Sequence, residues 1–422
     1  MPKRLANQES RMTDLDDFNL NAKKFKSQAD SHADAETQVR NHALISKTTI
    51  SCNSEMPING NNGDDAGSKE GNQDNFEKPG TELKITPSNP ADDRDYFASY
   101  SGLDIHRTMI DDSARTQAYR HAILTNYPLF YGKTVLDVGC GTGILSVFCC
   151  LAGARRVYAV DASGAAKFAR AVAAENGYSD RIRVLQCRAE EAELPEQVDV
   201  IVSEWMGHAL LYESMLDSVL VARDRWLRPG GALFPERAVL KMALCTAPEL
   251  ALETGGAQFW RGVYDRYKVR MTCLAEVEER RRWSDLPARV CALLPEELHS
   301  HAATVCDLNL HTVRAEELRE LRAPAVELQS FGRAQLTGLA LWFDVHFPGG
   351  DELSTSPYVT ETHWGQTVLP LEPVNVDQDS TVQCPMVMRP DPKHPRNWRF
   401  SVDLAVGDGD SRTIQWVMDG TG

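Results

Sequence analysis

Two glutamates near the middle of the chain are the residues best suited to chemistry. Glu204 follows an apolar run that indicates a buried strand, in the segment Ser-Glu-Trp-Met-Gly at 203–207. Glu213 lies nine residues further along the chain. Because a strand end and the loop after it share one edge of a sheet, two carboxylates placed there can converge on one cation. The pattern predicts a site that binds a positively charged group.

A glycine turn lies upstream, in the segment Val-Leu-Asp-Val-Gly-Cys-Gly-Thr-Gly at 135–143. Without side chains, Gly139 and Gly141 let the backbone approach a ligand closely. Asp161 ends the next apolar run, where a carboxylate can accept hydrogen bonds from both hydroxyls of a ribose. We therefore expect a nucleotide-like cofactor in the same pocket as the two glutamates.

An NAD-dependent dehydrogenase shares the glycine turn and the following acid, but two details favour another cofactor. The glycines are spaced G-x-G-x-G rather than G-x-G-x-x-G. Asp137 precedes the first glycine, where it would repel a pyrophosphate and attract an ammonium group. S-adenosylmethionine carries an ammonium group, and we expect Arg115 to pair with its carboxylate and Glu190 to accept from its adenine amino group.

The glutamate pair also has less specific interpretations. Glu213 could begin a solvated helix, since acids favour first turns, while Glu204 merely ends a strand. A metal site is a further possibility, but the supporting His or Asp spacing is missing and we predict none.

With these motifs in order, the chain from about Asp95 to its C-terminus resembles the type I branch of the protein arginine methyltransferases. The family shows Tyr-Phe-x-x-Tyr before the cofactor domain, a glycine turn, a double-glutamate loop and a Thr-His-Trp loop. The matching residues are Tyr96, Phe97 and Tyr100, the turn at 135–143, residues 203–207 with Glu213, and Thr362, His363 and Trp364.

The resemblance implies a role for each matching residue. Glu204 and Glu213 are expected to hold the substrate guanidinium, with Asp112 and His363 as a supporting pair. Met109 matches a position that differs in the symmetric-dimethylating branch, which predicts asymmetric dimethylation. Contacts to the cofactor are expected from His106, Met109, Arg115, Asp137, Gly139, Gly141, Asp161 and Glu190, and contacts to the substrate from Tyr100, Met206 and Trp364.

Two residues depart from the family pattern. Asp161 stands where the family usually has Glu, and its shorter side chain predicts weaker or water-mediated contact with the ribose. His208 stands where relatives commonly have Tyr, and it is either a packing substitution or a titrating group beside the substrate.

The elements that must position these residues alternate between strand and helix from about residue 95 to 235. The strand segments are continuously apolar, which is typical of a parallel sheet covered on both faces. We predict an α/β fold, with a doubly wound Rossmann-like methyltransferase domain at 91–235 that binds S-adenosylmethionine.

Short alternating apolar runs after residue 235 predict antiparallel strands. By the resemblance, residues 236–422 form a β-barrel-like substrate domain with a helical dimerisation arm at about 247–275, and the protein forms a homodimer. A stripe of apolar residues at helical spacing supports the arm and comprises Trp260, Val263, Tyr264, Tyr267, Met271 and Leu274.

Composition limits the remaining possibilities. Residues 1–90 are rich in Asn, Asp, Ser, Gly and Lys, which predicts a disordered tail. A net charge of −15 argues against nucleic acid as a direct partner and suits basic protein substrates. The 10 cysteines contain no C-x-x-C pair, and no segment is long and apolar enough to span a membrane, so we predict a soluble protein of the nucleus or cytoplasm. Basic clusters at 2–4 and 23–26 are candidate nuclear import signals.

The sequence thus predicts an S-adenosylmethionine-dependent methyltransferase acting on arginine in basic proteins, such as histone tails or Arg-Gly-rich proteins. A methyltransferase of another nucleophile would keep Arg115 and Asp161 but use the two glutamates differently. A catalytically weak scaffold that binds basic tails is the second alternative.

Overall fold

The computed structural model describes residues 90–247, 255–284 and 287–420, which belong to one compact unit. The predicted disordered tail, both basic clusters and residues 248–254 of the predicted arm lie outside the described residues. Within the described part of the chain, no helix has the length and apolar character needed to cross a membrane.

Four helices precede the first strand. Asp112 separates the second and third, and its carboxylate accepts a hydrogen bond from the backbone N–H of Arg115 at 2.9 Å, which satisfies one of the free donors at the helix start. This cap fixes the position of Arg115 within the first turn. The helices are α1 (Pro90–Ser99), α2 (Asp104–Asp111), α3 (Ser113–Thr125) and α4 (Tyr127–Phe130).

A five-stranded parallel sheet follows, with strand order β3-β2-β1-β4-β5. Every residue of its central strand is buried, as expected when helices cover both faces. The predicted α/β class and Rossmann-like sheet are confirmed. The elements are β1 (Thr134–Val138), α5 (Ile144–Leu151), β2 (Arg156–Val160), α6 (Ala166–Glu175), β3 (Ile182–Leu185), β4 (Val198–Val202), α7 (Leu216–Trp226) and β5 (Leu227–Phe234).

Strand β5 runs through a Pro-Gly-Gly segment at 229–231, a composition that is typical of a turn. Gly230 has a φ of 75°, and the pairing of β5 with β4 shifts register after Val198. The irregularity lets the strand pass through Pro229 and continue to Phe234.

Two antiparallel six-stranded sheets follow, one with order β7-β13-β11-β6-β8 and the other with order β10-β14-β16-β15-β9. Strand β12 pairs with β11 and β17 with β16. The strands are β6 (Arg237–Cys245), β7 (Arg289–Cys291), β8 (Ala303–Asn309), β9 (Leu321–Ala323), β10 (Glu327–Gln329), β11 (Ala334–His346), β12 (Glu352–Ser354), β13 (Gln366–Val376), β14 (Thr381–Gln383), β15 (Met386–Pro390), β16 (Trp398–Val406) and β17 (Arg412–Met418).

The apolar stripe predicted as one helix is divided between two, α8 (Gly255–Tyr267) and α9 (Thr272–Ser284). Lys268 has a φ of 58°, which a continuous helix cannot accommodate. Val263 and Ala275 are buried, whereas Phe259, Tyr264 and Tyr267 are exposed. The spacing of the apolar residues was therefore helical, but it did not reveal the break.

Three strands of the parallel sheet end side by side at the residues singled out by the sequence. Gly139 follows β1, Asp161 follows β2, and Glu204 lies just beyond β4. The carboxyl edge of a parallel sheet is where such folds bind ligands. The fold thus brings the glycine turn and the first glutamate to one edge.

Candidate active site

A single cavity of about 210 Å³ joins the glycine turn, the two glutamates and the Thr-His-Trp loop. Most of the predicted site residues lie on its wall, and Asp112 and Asp137 are the two that do not. Those on the wall are Tyr100, His106, Met109, Arg115, Gly139, Gly141, Asp161, Glu190, Glu204, Met206, Glu213, His363 and Trp364.

The glycine turn presents bare backbone to this cavity. Gly139 has a φ of 72°, and a Cβ there would lie 2.2 Å from Cε of Met215. Gly141 has a φ of 54°, and a Cβ there would lie 3.1 Å from Cε1 of His106. The left-handed backbone conformation therefore favours glycine at both positions, and an added side chain would also have to displace Met215 or His106.

Asp161 fastens the turn to the end of β2. Its Oδ2 accepts from the backbone N–H of Gly141 at 2.7 Å, and its Oδ1 accepts from the backbone N–H and the hydroxyl of Ser163 at 2.8 and 2.6 Å. Across the cavity, Glu190 Oε1 accepts from the hydroxyl of Ser218 at 2.6 Å. The two acids predicted to contact a nucleoside thus lie on the cavity wall, each held by its own partners.

Asp137 does not lie on the cavity wall. Its side chain is 0% exposed, and its Oδ2 accepts from the hydroxyl of Ser146 in α5 at 2.6 Å, behind the turn. Its Oδ1 is buried without a hydrogen-bond partner among the described residues, and the predicted contact with an ammonium group stays a prediction. Burial raises the pKa of Asp137 to about 7, which the bond from Ser146 only partly offsets.

Arg115 and Glu204 form a buried ion pair at the cavity wall, each with a side chain that is 9% exposed. Arg115 donates from Nε and Nη2 to Glu204 Oε2 at 3.0 and 2.7 Å, and from Nη1 to the carbonyl of Met109 at 2.9 Å. Glu204 Oε1 is buried and has no hydrogen-bond partner among the described residues. Because leaving a buried acceptor unpaired is costly, this oxygen marks a place for a donor.

Glu213 lies on the opposite side of the loop in a different environment. The hydroxyl of Tyr100 donates to both of its carboxylate oxygens, at 3.1 Å to Oε1 and 2.9 Å to Oε2. Burial raises the pKa of Glu213, the hydrogen bonds from Tyr100 and Tyr96 oppose the increase, and the negative charge of Glu204 adds to it. Burial also raises the pKa of Tyr100, so its hydroxyl stays protonated and remains a donor.

His363 and Asp112 form the predicted supporting pair. His363 Nδ1 lies 2.7 Å from Asp112 Oδ2, and the same oxygen accepts from the backbone N–H of His363 at 2.9 Å. Although burial alone would raise the pKa of Asp112, hydrogen bonds from His363 and from the N–H of Arg115 hold it below its usual value. The carboxylate is therefore ionised and fixes the orientation of the imidazole ring.

The remaining predicted residues form the cavity walls. His106 Nε2 lies 2.9 Å from the carbonyl of Tyr100, and Trp364 Nε1 donates to the carbonyl of Met206 at 2.9 Å. His208 Nδ1 lies 3.1 Å from the carbonyl of Trp364, and burial lowers the pKa of this histidine. His208 is thus a cavity residue held by the Thr-His-Trp loop.

Sequence reasoning missed Arg396, which lies on the cavity wall and donates to the carbonyl of Glu213 at 2.7 Å. It follows the short strand β15, in a Pro-rich loop far along the chain from both glutamates. Nothing in its local spacing indicates a site, since the contact depends on how the antiparallel sheets pack beside the double-glutamate loop.

Comparisons with known proteins agree with this arrangement. A family model described as "Methyltransferase domain" matches residues 135–231, and one described as "Arginine methyltransferase oligomerization subdomain" matches residues 238–409. Protein arginine N-methyltransferase 6 of Xenopus laevis is 44% identical over 329 residues, covering 77% of this chain and 95% of the relative. Its namesake in Danio rerio is 42% identical over 317 residues, covering 74% and 89%.

Solved structures show the same likeness. Protein arginine methyltransferase 10 of Arabidopsis thaliana, in an open conformation, has a TM-score of 0.68 and 32% identity, covering 77% of this chain and all (100%) of that one. A Trypanosoma brucei enzyme-prozyme heterotetrameric complex of protein arginine methyltransferase 1 with AdoHcy has a TM-score of 0.67 and 32% identity, covering 76% of this chain and 100% of that chain.

Proposed function

This chain belongs to the protein arginine methyltransferases, and we propose that it transfers methyl groups from S-adenosylmethionine to arginine side chains of basic proteins, giving monomethylarginine and asymmetric dimethylarginine. The comparisons confirm the predicted family and cofactor. One observation carries the choice of substrate group: Glu204 Oε1 is a buried, unpartnered acceptor in the cavity that also contains the glycine turn and Glu213.

The cavity wall suits the cofactor. When bound, S-adenosylmethionine supplies an electrophilic methyl group on a sulfonium. Gly139 and Gly141 leave open backbone that a Cβ would obstruct, and Asp161 and Glu190 offer carboxylates of the kind that bind ribose hydroxyls and an adenine amino group. Arg115 supplies the cation suited to a carboxylate ligand.

Charge balance favours a guanidinium between the two glutamates. Arg115 and Glu204 neutralise each other as an ion pair, whereas Glu213 is held by neutral tyrosine hydroxyls. These three groups therefore carry one net negative charge when both glutamates are ionised. A substrate arginine, which is protonated at any physiological pH, carries the opposite charge and can donate to the unpartnered Glu204 Oε1.

The two carboxylates would also prepare the nucleophile. An arginine nitrogen is a poor nucleophile because its lone pair is delocalised over the guanidinium plane. Carboxylates that are hydrogen-bonded to the non-reacting guanidinium nitrogens draw the positive charge toward themselves and orient the reacting nitrogen in the cavity. Two groups on the wall can accept the proton that the nitrogen loses: Glu213, whose pKa burial raises, and Nε2 of His363, whose Nδ1 is occupied by Asp112.

The test is mass spectrometry of a peptide product. We would incubate the purified full-length protein with S-adenosylmethionine and an Arg-Gly peptide, and in parallel with a peptide carrying Lys in place of Arg. The proposal predicts methyl groups on arginine alone, and neutral loss of dimethylamine from the dimethylated product. Methylation of the Lys peptide, or loss of monomethylamine only, would contradict it. Glu204→Gln protein serves as the matched negative control.

The choice of substrate protein needs its own comparison. The excess of acidic residues over basic ones, with a net charge of −15, favours basic partners. A histone tail and an Arg-Gly-rich segment should both be methylated, with the ratio of their kcat/KM values identifying the preferred class. An acidic arginine peptide of equal length should be a much poorer substrate.

We further propose that the protein forms a homodimer through α8 and α9. Phe259, Tyr264 and Tyr267 leave apolar surface exposed on this pair of helices, which lies within the residues matched by the oligomerization subdomain. Light scattering after size-exclusion chromatography should give twice the mass of one chain. Phe259→Ser with Tyr267→Ser should shift the protein to a monomer, and a wild-type monomer at micromolar concentration would refute the proposal.

A further inference from the structure

A short loop from the antiparallel sheets reaches the active-site cavity. Residues 391–397 connect β15 to β16, and the loop is closed by a bond from the N–H of Asp391 to the carbonyl of Asn397 at 2.8 Å. The carboxylate of Asp391 also accepts from the N–H groups of Lys393 and His394 at 2.7 and 3.0 Å. The loop is therefore internally braced, and it presents Arg396 to the cavity as a fixed group.

The guanidinium of Arg396 joins two parts of the site. Its Nη1 donates to the carbonyl of Glu213 at 2.7 Å. Its Nε and Nη2 donate to Asp93 Oδ1 in α1 at 3.0 and 2.6 Å. Its central carbon lies 3.8 Å from the ring centroid of Tyr96, also in α1. One planar cation thus contacts the double-glutamate loop, a carboxylate of α1 and an aromatic face.

Glu213 depends on this loop for its backbone conformation. Its φ is 74°, and that of Ser214 is 56°, in the left-handed region that is unfavourable for residues with a Cβ. The N–H of Glu213 donates to the carbonyl of Arg396 at 2.8 Å, and the hydroxyl of Ser214 donates to the carbonyl of Pro395 at 2.8 Å. These bonds offset the strain, so main chain and side chain of Arg396 both hold Glu213.

Helix α1 is held from two sides. Asp93 accepts from Arg396 and from Arg188, which follows β3 in the parallel-sheet domain. Although burial would raise the pKa of Asp93, these two arginines lower it, so the carboxylate is ionised. Tyr100 directly follows this helix, and its hydroxyl donates to the Glu213 carboxylate. The same cation, Arg396, therefore positions both α1 and Glu213.

We propose that Arg396 is a positioning residue that couples the seating of α1 over the cavity to the placement of the Glu213 carboxylate. The proposal deepens the proposed function, on which it rests for what that carboxylate does. With Arg396 in place, the side chains of Tyr96 and Tyr100 are held in one position relative to the Glu213 carboxylate. Without it, α1 loses an anchor and Glu213 loses a bond that opposes its backbone strain.

Three variants test the proposal in the full-length protein. Arg396→Gln removes both the positive charge and the forked set of N–H donors of the guanidinium, whereas Arg396→Lys keeps the positive charge alone. Arg412→Gln is the matched control, because it removes an exposed arginine that pairs with exposed Glu372, and neither residue lines the cavity. We expect kcat to fall by about 10²-fold in Arg396→Gln and by about tenfold in Arg396→Lys, since small misplacements of catalytic groups cost this much. The control should keep wild-type kcat.

The pH profile separates positioning from general structural support. The charged and titratable groups facing Glu213 include Tyr96 from α1, Tyr100 directly after it and Tyr212 from the double-glutamate loop. Glu204 from the end of β4 and Arg396 from the loop at 391–397 face it as well. Arg396 is the group among these that lowers the pKa of Glu213 by its charge. Its loss should move the acid limb of kcat to higher pH in Arg396→Gln, while Arg396→Lys keeps the wild-type limb despite its lower kcat. A limb unmoved in both variants would overturn the proposal.

Hydrogen exchange on the ligand-free protein gives a readout independent of activity. Amides of α1 and of residues 212–215 should exchange faster together in Arg396→Gln than in wild type, with no change in Arg412→Gln. If only one of the two segments changes, the coupling is refuted. If the wild-type protein methylates no arginine peptide, the proposed function fails, and the exchange data still decide whether Arg396 links the two segments.

Discussion

The two sides of the catalytic cavity hold the same type of residue in different ways. On the Glu204 side, one carboxylate oxygen takes two charged hydrogen bonds from Arg115 and the other has no partner among the described residues. On the Glu213 side, both oxygens accept from the hydroxyl of Tyr100, and the strained backbone is held by Arg396.

This difference indicates that the two glutamates have different chemical roles. A carboxylate that is held by a cation through one oxygen and leaves the other free is prepared to receive a donor. A carboxylate that is held by neutral hydroxyls, with its pKa raised by burial, binds a proton more readily than a free glutamate does. The two glutamates are thus unequal, although the sequence motif presents them as a pair.

Removing the charge on the Glu204 side should have the largest effect. Glu204→Gln weakens the receptor for the guanidinium, and we expect kcat to fall by about 10³-fold, as for the loss of a group that stabilises charge in the transition state. Affinity for S-adenosylhomocysteine, measured by calorimetry, should stay nearly unchanged, because the glycine turn and Asp161 are untouched. An equal loss of cofactor affinity would show that Glu204 is structural.

A milder change on the Glu213 side should appear mainly in the pH profile. Tyr100→Phe removes a donor that stabilises the ionised carboxylate, so the pKa of Glu213 rises further above its ordinary value. Activity is lost as pH falls through this pKa, so the acid limb of kcat should move to higher pH. At a pH well above the limb, we expect a decrease of about tenfold, the value of a hydrogen bond to a charged group. A lower kcat with an unmoved limb would assign Tyr100 to substrate contact instead.

A third buried carboxylate, Asp137, provides the contrast for both glutamates, and the expected effect of changing it is the smallest. Its pKa is raised from 3.8 to about 7 by burial, so the unfolded chain ionises first as pH increases and stability decreases from about pH 4 to about pH 7. Asp137→Asn should raise Tm by a few degrees at pH 8 and hardly at pH 4, since one kcal/mol corresponds to roughly 2–4 °C in a domain of this size.

Exposed Asp408→Asn is the control for this variant and should leave Tm unchanged at both pH values. The Asp137→Asn protein should also keep its affinity for S-adenosylhomocysteine. A large loss of that affinity would show that Asp137 contacts the cofactor, as its position in the sequence predicts.

The sequence predicted the elements whose signal is local. Strands β1 and β2 begin and end where the apolar runs do, because continuous burial leaves a continuous pattern. The break at Lys268 was not predictable, since apolar residues recur at helical spacing on both sides of it. Strand β5 was missed because its Pro-Gly-Gly segment has the composition of a turn.

The site was predictable where residues follow strand ends, and less so where folding brings distant segments together. Glu204 and Gly139 lie on the cavity wall as strand order requires. That Asp137 lies off the cavity wall was not predictable, because a fully buried strand gives no sign of which face a side chain points to. Arg396 was missed because its contacts cross from the antiparallel sheets to α1, a long-range arrangement with no local signal.

The central claim is that Glu204 and Glu213 act on one guanidinium, and a double-mutant cycle tests it most directly. We would measure kcat/KM on an Arg-Gly peptide for wild type, Glu204→Gln, Glu213→Gln and the double variant, at a pH above the acid limb. If both carboxylates bind the same group, the double variant should be little worse than Glu204→Gln, with a coupling of about 2 kcal/mol. Strictly additive losses would show that the two glutamates act on separate groups and would contradict the account.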